Sequence, residues 1–182
     1  MDITKVINNI MADVRVELLE EFDRNFERKA FFNEKWQRKR SPDNKSLLIR
    51  SGALRRSIRG QISVKAINFS SSLAYAAIHN NGGEITVTRK MKRYFWAMYY
   101  KHSGKVRTLK DGKRSRSKAS LNHNATAEYY KALALKRVGS TIKIPQRQFL
   151  GNAPQVESLI REIITTNINE FLNEKENLFG NH

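Results

Sequence analysis

The sequence predicts an α+β fold: a small, mainly antiparallel sheet flanked by long N- and C-terminal helices, with a basic helical hairpin inserted between strands. Three observations predict it. Apolar residues recur every three or four positions at both ends of the chain, whereas alternating, strand-like runs fall in the middle. Between two of those strands lies a block, residues 89–139, with helical patterning on either side of a polar, basic stretch. No internal repeat divides the chain, so its 182 residues read as one domain, 1–182, with 89–139 as an insertion within it.

The first helix is expected over residues 3–31. Ile3, Ile7, Ile10, Val14, Leu18, Phe22 and Phe26 make one apolar stripe, and Asp2 stands at the N-cap. The acids from Glu17 to Glu27 sit among arginines as a solvated face. A polar, Pro-containing loop covers 33–46. In "LLIRSGALRRSIRG" the Ser51-Gly52 pair turns the chain into a short helix carrying Arg55 and Arg56. Alternation then predicts a strand: Ile62, Val64 and Ala66 on one face, Gln61, Ser63 and Lys65 on the other. Its turn is placed near Asn68, with a partner strand entering at Phe69.

The stretch "YAAIHNNGGEI", Tyr75 to Ile85, sets a histidine, two asparagines and two glycines between apolar residues. Tyr75 and His79 are four apart, so they share a helix face or bracket a turn. Gly82 and Gly83 supply positive φ ahead of a strand at 84–88. Residues 89–102 read as a helix, 103–124 as a mobile basic loop, and 125–138 as a second helix closed by Gly139 at its C′ position. "STIKIP" is a strand stopped by Pro145. After the corner "RQFLGNAP", Asn152 caps a last helix that runs to about Asn173 with Pro154 in its first turn, and the tail frays.

Charge is unevenly spread. Residues 32–65 carry ten basic and two acidic side chains, and residues 89–139 carry fifteen and two, so these blocks hold more than the whole formal charge of +17. A local basic block implies a polyanionic or acidic neighbour. The absence of cysteine excludes disulfides and thiolate metal sites and suits a reducing compartment. The polar N-terminus does not read as a secretory signal, and no window nears the roughly 20 apolar residues of a membrane span. The expectation is a soluble, cytosolic protein with no membrane partner.

Components of catalysis are sparse. His79, His102, His123 and His182 are scattered, and neither HExxH nor a Gly-rich phosphate loop is present. Between residues 35 and 156 the acids are Asp43, Glu84, Asp111 and Glu128. No catalytic residue, metal, cofactor or small-molecule substrate is therefore assigned. His79 reads as structural, its ring bonding a neighbouring backbone group.

The hairpin leaves two readings open. Tyr94, Phe95, Trp96, Tyr99 and Tyr100 among Lys92, Arg93 and Lys101 could stack on bases, or they could pack against "YYKALALK". Lys105, Arg107, Lys110, Lys113, Arg114, Arg116 and Lys118 are candidate polyanion contacts, including DNA.

Three stretches in order, "LLIRSGALRRSI" (47–58), "YAAIHNNGG" (75–83) and "IPQRQFLG" (144–151), resemble the phage virion morphogenesis family. That family includes tail-completion proteins of contractile-tailed phages. The resemblance makes Ser51, Gly52, Leu54, Tyr75, His79, Gly82, Gly83, Pro145, Arg147, Phe149 and Leu150 signature positions, read as fold corners and subunit contacts. It implies a non-enzymatic assembly protein of tail completion or head–tail joining in a phage or prophage. Such a protein tends to form homo-oligomeric rings, with other head, neck and tail proteins as partners. It would work in the bacterial host cytoplasm during assembly and could remain in the virion. The long hairpin departs from compact members, so the resemblance gives it no role. The alternative is a basic nucleic-acid-binding protein that uses 89–139.

Overall fold

The computed structural model describes residues 3–43, 46–64 and 66–179, with side chains to residue 176. The elements are α1 (Ile3–Arg28), β1 (Ala30–Phe31), β2 (Glu34–Lys35), α2 (Ala53–Arg56), β3 (Ile58–Ser63), β4 (Ala66–Ser71) and α3 (Ala76–Asn81). They continue as β5 (Gly83–Thr86), α4 (Arg89–Ser103), α5 (Lys118–Ala134), β6 (Thr141–Ile144) and α6 (Pro154–Phe179). The α+β class and the antiparallel pairing hold. The strands, however, form three separate two-stranded ribbons, β1–β2, β3–β4 and β5–β6.

Helix α1 buries a single ridge. Val6, Val14, Leu18, Phe22 and Phe26 are buried and Ile10 packs beside them, every step being four residues. Ile3 and Ile7 lie off that ridge and stay exposed, which corrects the upper end of the expected stripe. The ridge of α1 meets α6, where Val156 and the half-buried Leu159, Ile160 and Ile163 cover it. The two helices run antiparallel, with Asn167 Nδ2 donating to Asp13 Oδ2 at 3.0 Å. On the outer face Arg24 bonds Glu20 at 3.0 Å and Arg28 bonds Glu21 at 2.8 Å, the solvated face that the spacing predicts. Asp2, the expected N-cap, and Lys65, on the expected outer strand face, lie outside the described residues.

Several boundaries move. Helix α1 stops at Arg28 because Lys29 turns into the left-handed region (φ 54). Its carbonyl then accepts from Trp36 N at 2.9 Å, closing the small β1–β2 ribbon that the sequence does not signal. The β3–β4 turn falls between Ser63 and Ala66, and Asn68 is a strand residue paired with Gln61. The tip of that ribbon leaves the body, so Val64, expected on a packed face, is 97% exposed. Helix α6 continues to Phe179, past the expected end. Asn152 sits one residue outside the helix start: its Oδ1 accepts from Ala153 N at 3.0 Å, while the Ala153 carbonyl takes Val156 N and Glu157 N.

The inserted hairpin is present as expected and is clamped at its base. β5 and β6 pair from Gly83↔Ile144 to Thr86↔Thr141, and Val87 N extends the ladder to Ser140 O at 2.8 Å. Thr88 Oγ1 then caps α4 by accepting from Met91 N at 3.1 Å. Helix α5 starts earlier than expected, with Ser117 accepting from Ser120 N, and ends at Ala134, so Gly139 (φ 89) turns the chain into β6 and is no helix cap. The early start escapes a hydropathy reading because small or polar residues fill the buried face: Ser120, Thr126 and Ala127 ahead of Tyr130 and Ala134. The hairpin has its own core of Phe95, Tyr130 and Ala134, separate from the two clusters of the body.

Candidate functional site

The three sequence motifs converge on one junction. From the first, Gly52 takes φ 69 and lets the chain turn into α2, with Ser51 Oγ accepting from Ala53 N at 3.3 Å. The turn aims Leu54 into a cluster with Phe26, Trp36, Ile58, Ala76 and Phe149, all buried. Ala76 comes from the second motif and Phe149 from the third. Leu150 is half-buried and touches both body clusters, joining them.

Polar bonds lock the second motif to the third. The His79 carbonyl accepts from Arg147 N at 2.8 Å. Asn80 Oδ1 accepts from both Phe149 N and Leu150 N, at 2.9 and 3.0 Å. Gly82 adopts φ 70 and ψ −171, a region open only to glycine, and a Cβ there would stand 2.8 Å from the Gln146 nitrogen. Gly83 (φ 137) then enters β5 opposite Ile144, just before Pro145 ends β6. Trp36 Nε1 donates to Gln148 O at 2.6 Å and Arg147 Nε to Gln37 O at 3.1 Å, tying the corner to the segment after β2.

Arg147 is buried, and burial lowers its pKa. His79 also departs from expectation. Its buried Nδ1 has no hydrogen-bond partner among the described residues, and its ring lies edge-on to the exposed Tyr75 ring at 6.0 Å. Burial, and then the nearby Arg147 charge, push the imidazole below its ordinary pKa of 6.5. The unfolded chain therefore binds a proton that the folded chain resists. This contribution to stability is present above pH 6.5 and is lost as pH falls toward the depressed folded value. Urea midpoints at pH 7.5 and 5.5 check this: acidification should weaken the wild-type fold more than that of His79→Gln.

Asn80 is the residue that sequence reasoning missed. Asparagine before Gly-Gly reads as a local turn former, and nothing in the spacing announces acceptors reaching 69 and 70 residues along the chain. A second pairing was also missed. His102 on α4 and His123 on α5 bring their Nδ1 atoms to 3.3 Å, although 21 residues separate them. Among the described residues no group of three or more His, Cys, Asp or Glu side chains could hold a metal ion. No helix among them is long and apolar enough to cross a membrane.

The candidate polyanion contacts stand elsewhere, at the far end of the hairpin. Lys105, Arg107, Lys110, Lys113, Arg114, Arg116 and Lys118 are all exposed. The loop between the helices is not the featureless segment expected. It folds back through a Thr108↔Arg114 bridge, with Leu109 N bonding Lys113 O at 2.7 Å and Ser115 N bonding Arg107 O at 2.8 Å. On α4 the two readings divide by residue. Phe95 packs on Tyr130 and the half-buried Trp96 and Tyr99 pack against the same core, as the packing reading expects, whereas Tyr94 and Tyr100 remain exposed.

The marked residues of the three motifs hold three segments of the chain together. The family comparison identifies the chain that carries them. The model of the phage virion morphogenesis family matches residues 7–169, and the chain belongs to that family. No curated protein and no solved structure matches the chain. Its role is accordingly in the structure and assembly of phage particles.

Proposed function

We propose that the protein is a non-enzymatic subunit of tail completion or head–tail joining that works as a homo-oligomeric ring against other head, neck and tail proteins. The convergence of all three motifs on one structural junction carries this reading. Ten of the eleven signature residues act there in turns, packing or backbone bonds, and the exposed Tyr75 beside them supplies an edge-on ring contact. Two features support contact between subunits. Each two-stranded ribbon leaves both strands with an open edge, the kind of edge that proteins cover by pairing. An open apolar groove of about 970 Å³ lies among α1, β4, α3 and α6, lined by residues such as Val14, Phe69, Ala77 and Ile160. Exposed Ile164, Ile168 and Leu172 continue along α6. Together the groove and these side chains offer an apolar surface that a neighbouring subunit could cover.

Repetition of one heterologous contact closes a ring when the rotation closes. Sedimentation equilibrium of the purified chain, alone and mixed with neck and tail proteins of its phage, tests the reading. A mass that is a closed multiple of the 21.1 kDa chain is expected in at least one of these mixtures. A monomer in all of them, together with absence from purified particles, would overturn it.

A further inference from the structure

We propose that the tip of the inserted hairpin, residues 104–118, binds the phosphate backbone of duplex DNA without reading its sequence. The inference stands apart from ring formation, since it concerns the single chain and a duplex.

Several cations of the body are matched at close range: Arg28 meets Glu21 at 2.8 Å, Arg50 meets Asp43 at 2.8 Å, and Arg55 lies between Asp23 and Glu27. The tip concentrates seven cations against one acid. Lys105, Arg107, Lys110, Arg116 and Lys118 are exposed, and their side chains have no carboxylate or hydrogen-bond partner among the described residues. The sole acid of the tip, Asp111, is already engaged by Lys113, whose backbone nitrogen it accepts at 3.0 Å and whose ammonium stands at 3.6 Å. Unmatched like charges repel one another and favour a dense anion that relieves them.

Geometry presents this charge outward. Helix α4 has 15 residues, so the hairpin reaches about 22 Å from the β5–β6 clamp. The Thr108↔Arg114 bridge closes the tip into a short ribbon, and the cations along it are exposed. Arg114 reaches back to Asn124 Oδ1 at 2.7 Å, which fixes the ribbon to α5.

The chemistry favours phosphate over an acidic protein face. Protein interfaces gain affinity from a buried apolar or aromatic centre and are poor in lysine there. Between residues 104 and 118 the one exposed large apolar side chain is Leu109, and there is no aromatic residue. Phosphate neutralisation needs only the cations, and it releases counterions from the duplex. Backbone phosphates offer these cations a partner at every step of a duplex, and no amide side chain is present to select adenine, so the tip positions a duplex and does not specify one.

Fluorescence anisotropy with two labelled duplexes of unrelated sequence tests the proposal on the full chain. Equal affinities are expected, with log K falling against log salt at a slope of about −3 for three to four phosphates met by one face. Affinity should then drop roughly 30-fold between 50 and 150 mM salt. The double variant Lys110→Glu, Arg116→Glu should weaken binding at least tenfold and flatten the slope by about 2. Lys5→Glu, Arg161→Glu changes the net charge equally on α1 and α6 and should leave the slope intact. Equal losses in the two double variants, or no duplex binding at 50 mM salt, would overturn the proposal. Capture of polyglutamate without capture of duplex would overturn it in favour of an acidic protein partner.

Discussion

Phe149→Ala should lower the stability of the fold by about 3–5 kcal/mol, the range for removing a fully buried aromatic ring. Phe149 is 0% exposed, its ring centroid lies 5.2 Å from that of Phe26, and it shares a cluster with Leu54 and Ala76. It is therefore the fully buried side chain through which the third motif packs on the other two, with the half-buried Leu150 beside it. Against a total stability on the order of 5–15 kcal/mol, the loss is about a fifth or more. Thermal unfolding should show a midpoint roughly 10 °C lower. Because the hairpin core of Phe95, Tyr130 and Ala134 is a separate cluster, helical signal from 89–134 should persist when the body begins to open. A Phe149→Ala protein as stable as the wild type would remove the junction as the keystone of the fold.

Gly82→Val should be worse than any change at His79. Valine at φ 70 and ψ −171 enters a region that side chains other than hydrogen avoid, at about 1–3 kcal/mol of strain. Its Cβ would also meet the Gln146 backbone nitrogen at 2.8 Å, and backbone cannot swing aside as a side-chain end can. Moving it displaces the Arg147 N to His79 O bond next door, so the second and third motifs part together. Gly83→Val should be milder, since its nearest clash is the terminal methyl of Ile78 at 2.9 Å. His79→Ala removes a half-buried ring whose Nδ1 bonds nothing among the described residues, and about 1 kcal/mol or less is expected at pH 7.5. Urea unfolding of the four proteins checks the order, with Gly82→Ala added as a soluble, graded form of the same strain.

The legible parts of this fold were those where hydrophobicity repeats at a helical period. The α1 ridge, the first half of the α6 stripe (Val156, Leu159, Ile160 and Ile163) and the hairpin between β5 and β6 could be read from spacing, because each buries large apolar residues on one face. Ile164, Ile168 and Leu172, expected on the same α6 stripe, stay exposed. What escaped was carried by other signals. The start of α5 buries Ser120 and Thr126, which hydropathy scores as surface. The β3–β4 turn contains neither glycine nor proline, so Asn68 drew the turn to itself although it sits in mid-strand. The division into three ribbons depends on which strands find each other in space, a property that alternation alone does not encode.

At the junction the glycines were legible and the acceptor was not. Positive φ at Gly82 and Gly83, and a turn at Gly52, followed from turn chemistry. Asn80 holds two backbone nitrogens of a segment about 70 residues away, and only the folded chain reveals that. His79 drew notice as a rare chemical group, yet its neighbours are Tyr75 and Arg147, with no carboxylate bonded to it among the described residues.

The central claim is that the junction serves particle assembly, and the most direct measurement is electron microscopy of particles made without it. Cells producing the phage with the gene deleted should accumulate filled heads and unfinished or unjoined tails. Infectivity should return when the wild-type chain is supplied, and also with His79→Gln, but not with Gly82→Val. Complete, infectious particles in the absence of the chain would contradict the account.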